Sequence, residues 1–217
     1  HEAGYICSIL FIIPGFPFIT SGIDLSKLDL RSGLERLSYS IIIVLVATMT
    51  AWIMALLLHL QPLNFTSMDL NPILHLFLRL IASFCGVFGF SIMFNSPVKM
   101  AAIAAAMGAL ANTFRLELVD LTGMPAAAAA FIGALTAGLL ASLIKKYNGY
   151  PRISLTVPSI VIMVPGLYLY RAFYNFGIMS LTDAFSWGAA AIMIIIALPL
   201  GLIFAIILTD RTFRYCS

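Results

Sequence analysis

The residues best able to do chemistry in this chain are a few charges and a repeated Pro-Gly step, all set in apolar sequence. Pro14-Gly15 and Pro165-Gly166 interrupt apolar runs 151 residues apart. Proline removes a backbone donor and clashes with the preceding turn, so a membrane helix opens at such a step and leaves amides and carbonyls unpaired. Gly/Pro-interrupted apolar segments at corresponding positions of two repeats indicate a transporter binding site. We therefore predict that both steps are non-helical and face each other across a polar cavity.

Two arginines are candidates for binding an anion. Arg79 lies inside an apolar span, where a charge at the bilayer centre costs about 2.5 to 3.5 kcal/mol on insertion scales. It either binds a carboxylate substrate or extends its guanidinium to the outer surface, and the sequence leaves both interpretations open. Arg171 follows Tyr168 and Tyr170 and is the stronger candidate, with an interfacial anchor beside aromatic rings as its alternative role.

Two carboxylates, Asp24 and Asp29, are candidates for carrying a proton. They are the first acidic residues downstream of the first Pro-Gly step, in the leucine-rich segment 23–37. A carboxylate partly desolvated beside a membrane cavity binds a proton more readily than one in water. The alternative is an amphipathic elbow helix over 23–37 whose charges face the cytosol, and pairing with Lys27 and Arg31 favours that interpretation.

The composition places these residues in a polytopic membrane protein. The 217 residues are 62% hydrophobic and 10% charged, and the mean hydropathy of +1.05 lies far outside the soluble range. The predicted fold class is all-α, a polytopic membrane helical bundle with Pro-Gly broken helices. We expect a broken span over 5–21, followed by crossing segments over 38–60, 73–94, 98–119, 126–144, 153–170 and 184–209.

The basic residues indicate orientation rather than a nucleic-acid partner. The net charge of +3 comes from residues scattered among short connections, so they form no basic face. Every second connection is basic, which places those connections in the cytoplasm and the loop 61–72 outside. The motifs HExxH and GxSxG, a Walker phosphate loop and a Cys/His metal cluster are missing from the sequence. We therefore expect no enzyme, no cofactor and no metal site.

The number of crossings predicts that the two Pro-Gly segments belong to inverted-topology repeats. The second segment is the fifth crossing after the first, and an odd offset inverts it relative to the membrane. The same 151-residue offset pairs Asp24 with Asn175. We expect the first repeat to be incomplete, with residues 1–62 as its last two spans, and residues 73–210 to form a five-span second repeat.

Two sets of residues, spread over most of the chain, carry a resemblance to a known family. The first set is Pro14, Gly15, Thr20, Asp24, Asp29, Gly33 and Arg36. The second set is Asn95, Ser96, Pro97, Gly108, Pro158, Ser159, Pro165, Gly166, Tyr170, Arg171 and Ala172. In this order and spacing they resemble the threonine/serine exporter family, which includes two-subunit dicarboxylate exporters.

The resemblance implies a secondary exporter of small polar metabolites, with threonine-type and serine-type amino acids as substrates and the proton gradient as the drive. A dicarboxylate (succinate-type) exporter subunit and a non-transporting scaffold subunit that completes a partner's fold are the alternatives. The implied location is a bacterial-type inner membrane. Besides the lipid bilayer, the implied partner is the missing N-terminal half or a second subunit, and a homo-oligomer is left open.

The resemblance also extends the set of substrate-pathway residues beyond the two Pro-Gly steps. The added residues are Thr20, Asn95, Pro158, Ser159 and Tyr170. Asn95 has a structural interpretation as well, because asparagine and serine cap helices that begin with proline. We expect that capping accounts for the larger part of its role.

Overall fold

The computed structural model describes residues 2–59 and 70–210, which form helices and short connections without a strand. The helices of these residues are α1 (Glu2–Leu10), α2 (Gly15–Ser26), α3 (Leu30–Leu57), α4 (Pro72–Met93), α5 (Val98–Thr122), α6 (Ala126–Asn148), α7 (Arg152–Val161), α8 (Gly166–Gly177) and α9 (Leu181–Thr209). The all-α polytopic fold class that the composition predicts is confirmed.

Five of the described helices, α3, α4, α5, α6 and α9, are long and apolar enough to cross a membrane. A sixth candidate is the pair α7 and α8, which are bent by 44° at a short break. The predicted segments agree with α4, α5, α6 and α9 to within four residues at each end. The predicted span over 5–21 corresponds to α1 and α2, and its crossing of the membrane stays a prediction. Most of the predicted outer loop, 61–72, lies outside the described residues.

The segment 23–37 does not form the single elbow helix that its leucine pattern predicts. A turn divides it between the end of α2 and the beginning of α3. Leu28 in this turn takes a left-handed conformation with a φ of 62°. Asp29 then caps α3, because its carboxylate accepts a hydrogen bond of 3.3 Å from the Ser32 amide. The long helix α3 therefore begins eight residues before the predicted span at 38.

Small residues in the core let the long helices approach each other closely. Gly201 of α9 lies against α6, where an added Cβ would be 2.5 Å from the Phe131 carbonyl oxygen and 2.8 Å from Ala134. Gly108 of α5 lies against α7, where an added Cβ would be 2.9 Å from the Ser159 carbonyl oxygen. Lipid tails are as apolar as leucine, so close packing of this kind holds membrane helices together.

The backbone repeats itself at an offset of 151 residues. Four helix boundaries recur at this offset, namely the starts of α2 and α8, the ends of α2 and α8, the starts of α3 and α9, and the ends of α1 and α7. Leu28 and Met179 occupy corresponding positions in the turn that follows, and each has a φ of 62°. The backbone hydrogen bonds that close this turn recur as well. Positive φ is uncommon for residues of this type, so its recurrence marks a repeated turn.

Candidate functional site

Two breaks interrupt the helices at the Pro-Gly steps. The first covers residues 11–14 between α1 and α2, and the second covers residues 162–165 between α7 and α8. Pro14 and Pro165 are the N-caps of α2 and α8, with φ and ψ of −77° and 70° in the first and −81° and 53° in the second. Proline removes a backbone donor and clashes with the preceding turn, and in these two steps one helix ends before the proline and the next begins at the glycine. The structure contains the breaks that the sequence predicts.

The two breaks pack against each other reciprocally. An added Cβ on Gly15 would lie 3.1 Å from the side chain of Val164, and an added Cβ on Gly166 would lie 2.9 Å from the side chain of Ile13. Ile13 and Val164 are themselves related by the 151-residue offset. Reciprocal contacts between two copies of a unit are those of a twofold axis. The two breaks therefore contact each other through corresponding residues.

A cavity of about 640 Å³ lies between the breaks and is lined by both Pro-Gly steps. Its other side chains are mainly apolar, including Phe90 and Phe94, so the prediction of a polar lining is wrong for the side chains. Four helix ends meet here, and helix ends leave amides and carbonyls without partners inside the helix. The polarity of the cavity therefore comes from the backbone, from the side chain of Tyr168 and from one charged side chain. Its volume lies in the range of small-molecule sites.

That charged side chain is Arg115 of α5. Its Nη1 donates a long hydrogen bond of 3.4 Å to the carbonyl oxygen of Met163 in the second break. Its Nε is buried and has no hydrogen-bond partner among the described residues, and it forms no ion pair with a carboxylate of that part of the chain. Sequence reasoning did not select Arg115, although a lone arginine in an apolar span is the signal that selected Arg79.

Arg79 lies away from the cavity and pairs with two carboxylates of α5. Its Nη1 is 2.9 Å from Oε1 of Glu117, and its Nη2 contacts the carboxylate of Asp120. The Arg79 side chain is 18% exposed. The structure thus accounts for this charge by an ion network that joins α4 to α5.

Arg171 and Tyr170 lie on α8, and neither lines the cavity. The guanidinium carbon of Arg171 is 4.6 Å from the centroid of the Trp187 ring, a cation–π contact. Tyr170 is buried and packs edge-on against Tyr5, with ring centroids 6.3 Å apart. These contacts fit the alternative role of an anchor, because they hold α8 against α9 and α1.

Thr20, Pro158 and Ser159 are buried and also lie outside the cavity lining. The Thr20 hydroxyl donates to the Phe16 carbonyl of its own helix at 3.0 Å. The Ser159 hydroxyl contacts the Ala104 carbonyl of α5 at 2.9 Å. The Thr20 contact thus stays within α2, and the Ser159 contact joins α7 to α5.

Asn95 does not cap α5, so that prediction is wrong. The N-cap of α5 is Pro97, and the helix begins at Val98. Asn95 instead follows the end of α4 with a φ of 58°, and its amide donates to the Ile92 carbonyl at 2.9 Å. Asparagine tolerates left-handed backbone better than most residues, so it suits the end of the preceding helix.

Asp24 and Asp29 have different surroundings. The Asp24 side chain is 21% exposed, and its Oδ2 is 3.0 Å from Nη1 of Arg36 on α3. Asp29 is exposed and caps α3. The predicted pairing of these acids with Lys27 and Arg31 is not formed among the described residues. The structure thus separates a largely buried, ion-paired carboxylate from a capping one.

Of the residues selected from the sequence, the structure brings four together at the cavity: Pro14, Gly15, Pro165 and Gly166. The others lie in contacts between helices, at helix ends or beside the turn of 27–29. Within the described ranges, no group of three or more His, Cys, Asp and Glu side chains is placed to hold a metal ion.

Two family models match the chain. The model described as Threonine/Serine exporter, ThrE, matches residues 79–208, which is more than half of the sequence. A second threonine/serine exporter model, ThrE, matches residues 1–58. Comparison with curated proteins and with solved structures gave no significant match. On these two matches, the chain belongs to the threonine/serine exporter family.

Proposed function

We propose that threonine and serine pass through the cavity between the two breaks and that the proton gradient drives their export. The family consists of exporters of these amino acids, and the apolar helices make the chain an integral membrane protein. The observation that carries the proposal is the reciprocal packing of Gly15 and Gly166 beside one cavity. Secondary transporters bind their substrates where the broken helices of two repeats meet.

Alternating access by two inverted-topology repeats is the proposed mechanism. Residues 1–62 form the end of the first repeat and residues 73–210 form the second. The recurrence of helix boundaries and of the left-handed turn at 151 residues supports a repeat. The reciprocal contacts support a twofold axis between the breaks. Rocking one repeat against the other about this axis opens the cavity to each side of the membrane in turn.

Asp24 is the proposed proton carrier. It is largely buried and forms an ion pair with Arg36 of α3. Protonation removes this attraction and frees α2 to move relative to α3. The residue at the corresponding position of the second repeat is Asn175, whose side chain donates to the Arg171 carbonyl at 2.9 Å. An amide side chain does not ionise, so of these two positions only Asp24 can bind and release a proton.

Efflux of L-threonine from proteoliposomes, with and without an imposed pH gradient, tests both parts of the proposal. Asp24→Asn should abolish the dependence on the gradient and preserve threonine exchange, because the amide imitates the protonated acid without releasing a proton. Asp29→Asn is the matched control, since asparagine caps a helix about as well as aspartate, and it should behave like the unaltered protein.

Two results would contradict the proposal. Gradient-driven efflux that persists in Asp24→Asn would remove Asp24 as the carrier. Movement of succinate without movement of threonine or serine would overturn the substrate and favour the dicarboxylate alternative.

A further inference from the structure

We infer that Arg115 binds the α-carboxylate of the transported amino acid inside the cavity between the breaks. The inference rests on the proposed function, since it assigns one group of that substrate to one residue of that site. Two observations support it, namely the contacts of the Arg115 side chain and the helix ends that border the same cavity.

Arg79 and Arg115 differ in how their charges are compensated. Arg79 has two carboxylate partners on α5, Glu117 and Asp120. Among the described residues, Arg115, which lies on the same helix α5, has the long contact to the Met163 carbonyl and no carboxylate partner. The Nε of Arg115 is buried, and a guanidinium that is partly removed from water without a counter-ion is costly. The missing counter-ion is therefore an anion that enters the cavity.

The shape of the guanidinium indicates which anion fits. Its planar fork matches a carboxylate with two parallel hydrogen bonds. Because Nη1 touches the Met163 carbonyl, the fork lies at the second break, next to the start of α8. The first amides of α8 and the positive end of its dipole favour the same negative charge. Arg115 and the start of α8 thus form one carboxylate site.

The opposite charge of a zwitterionic amino acid also has a place in this cavity. The last turns of α1 and α7 border it through Leu10 and Val161. The carbonyl ends of helices carry negative partial charge and favour an ammonium group. A free amino acid, with one carboxylate and one ammonium, therefore matches the helix ends better than a dicarboxylate does.

Binding of L-threonine and of threoninol to the full protein in detergent, measured by calorimetry, tests the inference. Threoninol keeps the ammonium and the side-chain hydroxyl but lacks the carboxylate. Arg115→Gln should weaken threonine binding by roughly tenfold to hundredfold, the usual loss for a charge-assisted hydrogen bond. It should leave the weak binding of threoninol unchanged. Arg115→Lys should lose less than the glutamine variant, because it keeps the charge without the fork.

Arg79→Gln is the matched control, because it removes an arginine of a neighbouring membrane helix that does not line the cavity. It should lower the melting temperature by breaking the α4–α5 ion network and should keep the affinity for threonine. If Arg115→Gln does not fold, the test uses Arg115→Lys instead. The measured quantity is then the ratio of its affinity for threonine to its affinity for threoninol. That ratio should fall relative to the unaltered protein.

The outcomes separate this inference from the proposed function. Unchanged threonine affinity in Arg115→Gln, or equal losses for threonine and threoninol, would overturn the role of Arg115 while the export function stands. An unaltered protein that binds neither threonine nor serine would overturn the proposed function itself.

Discussion

The two copies of the repeated unit, α1–α3 and α7–α9, have matching helix boundaries and turns but different surroundings. α9 is covered by α6 along the face that contains Gly201 and Ala205, which are both buried. The corresponding residues of α3, Thr50 and Met54, are exposed and line an apolar groove of about 460 Å³. The breaks and turns nevertheless match in the two copies. Their geometry therefore depends on local sequence and on contact between the breaks, and not on what covers the third helix of each copy.

The largest expected difference between the copies is at this third helix. Gly201→Leu should lower the free energy of unfolding by about 3 kcal/mol, because a side chain would collide with the backbone of α6. Thr50→Leu, at the corresponding position in the open groove, should change it by less than about 0.5 kcal/mol. Reversible unfolding in mixed detergents measures both. Equal losses would show that the α3 face is covered as the α9 face is.

A smaller difference is expected at the breaks themselves. Gly166→Ala places a Cβ 2.6 Å from Leu10 and 2.9 Å from Ile13, whereas Gly15→Ala places one 3.1 Å from Val164. The first change should cost about 1 to 2 kcal/mol and the second less than about 1 kcal/mol. The same unfolding assay ranks the two variants. A larger loss for Gly15→Ala would contradict the packing of the breaks described above.

The smallest expected effect is one that both copies should share. Leu28→Gly and Met179→Gly each relieve a left-handed backbone, which costs other residues about 1 kcal/mol or more. The added freedom of glycine in the unfolded chain offsets part of this gain. Both variants should therefore be slightly more stable, by a few tenths of a kcal/mol. Effects of opposite sign, seen as a rise in one melting temperature and a fall in the other, would mean that the two turns are not equivalent.

The sequence predicts the long helices and the breaks because each has a local cause. Apolar runs must be helical in lipid, where every backbone group needs a partner, and Pro-Gly cannot continue a helix. The spacing of Pro14 and Pro165 was thus enough to predict both breaks and their 151-residue offset. The division of 23–37 was not predicted, because a left-handed leucine at 28 has no signature in the residue type.

The contacts of the charged residues could not be predicted, because they depend on which helices become neighbours. The partners of Arg79 lie 38 and 41 residues further along the chain, on α5. Arg36 meets Asp24 only because α2 folds back on α3. Arg115, like Arg79, is a lone arginine in an apolar stretch of sequence. Only the packing of the helices shows that Arg79 is paired with carboxylates and that Arg115 lines the cavity.

Protection of a native cysteine tests the central claim, that the cavity between the breaks holds the substrate. Cys7 lines this cavity, whereas Cys85 of α4 does not, and both are unpaired. With Cys216 replaced by serine, a small methanethiosulfonate reagent and mass spectrometry give the modification rate of each remaining thiol. Saturating L-threonine should slow the modification of Cys7 and leave the rate of Cys85 unchanged. Identical rates for Cys7 with and without threonine, in protein that binds threonine, would place the substrate outside this cavity.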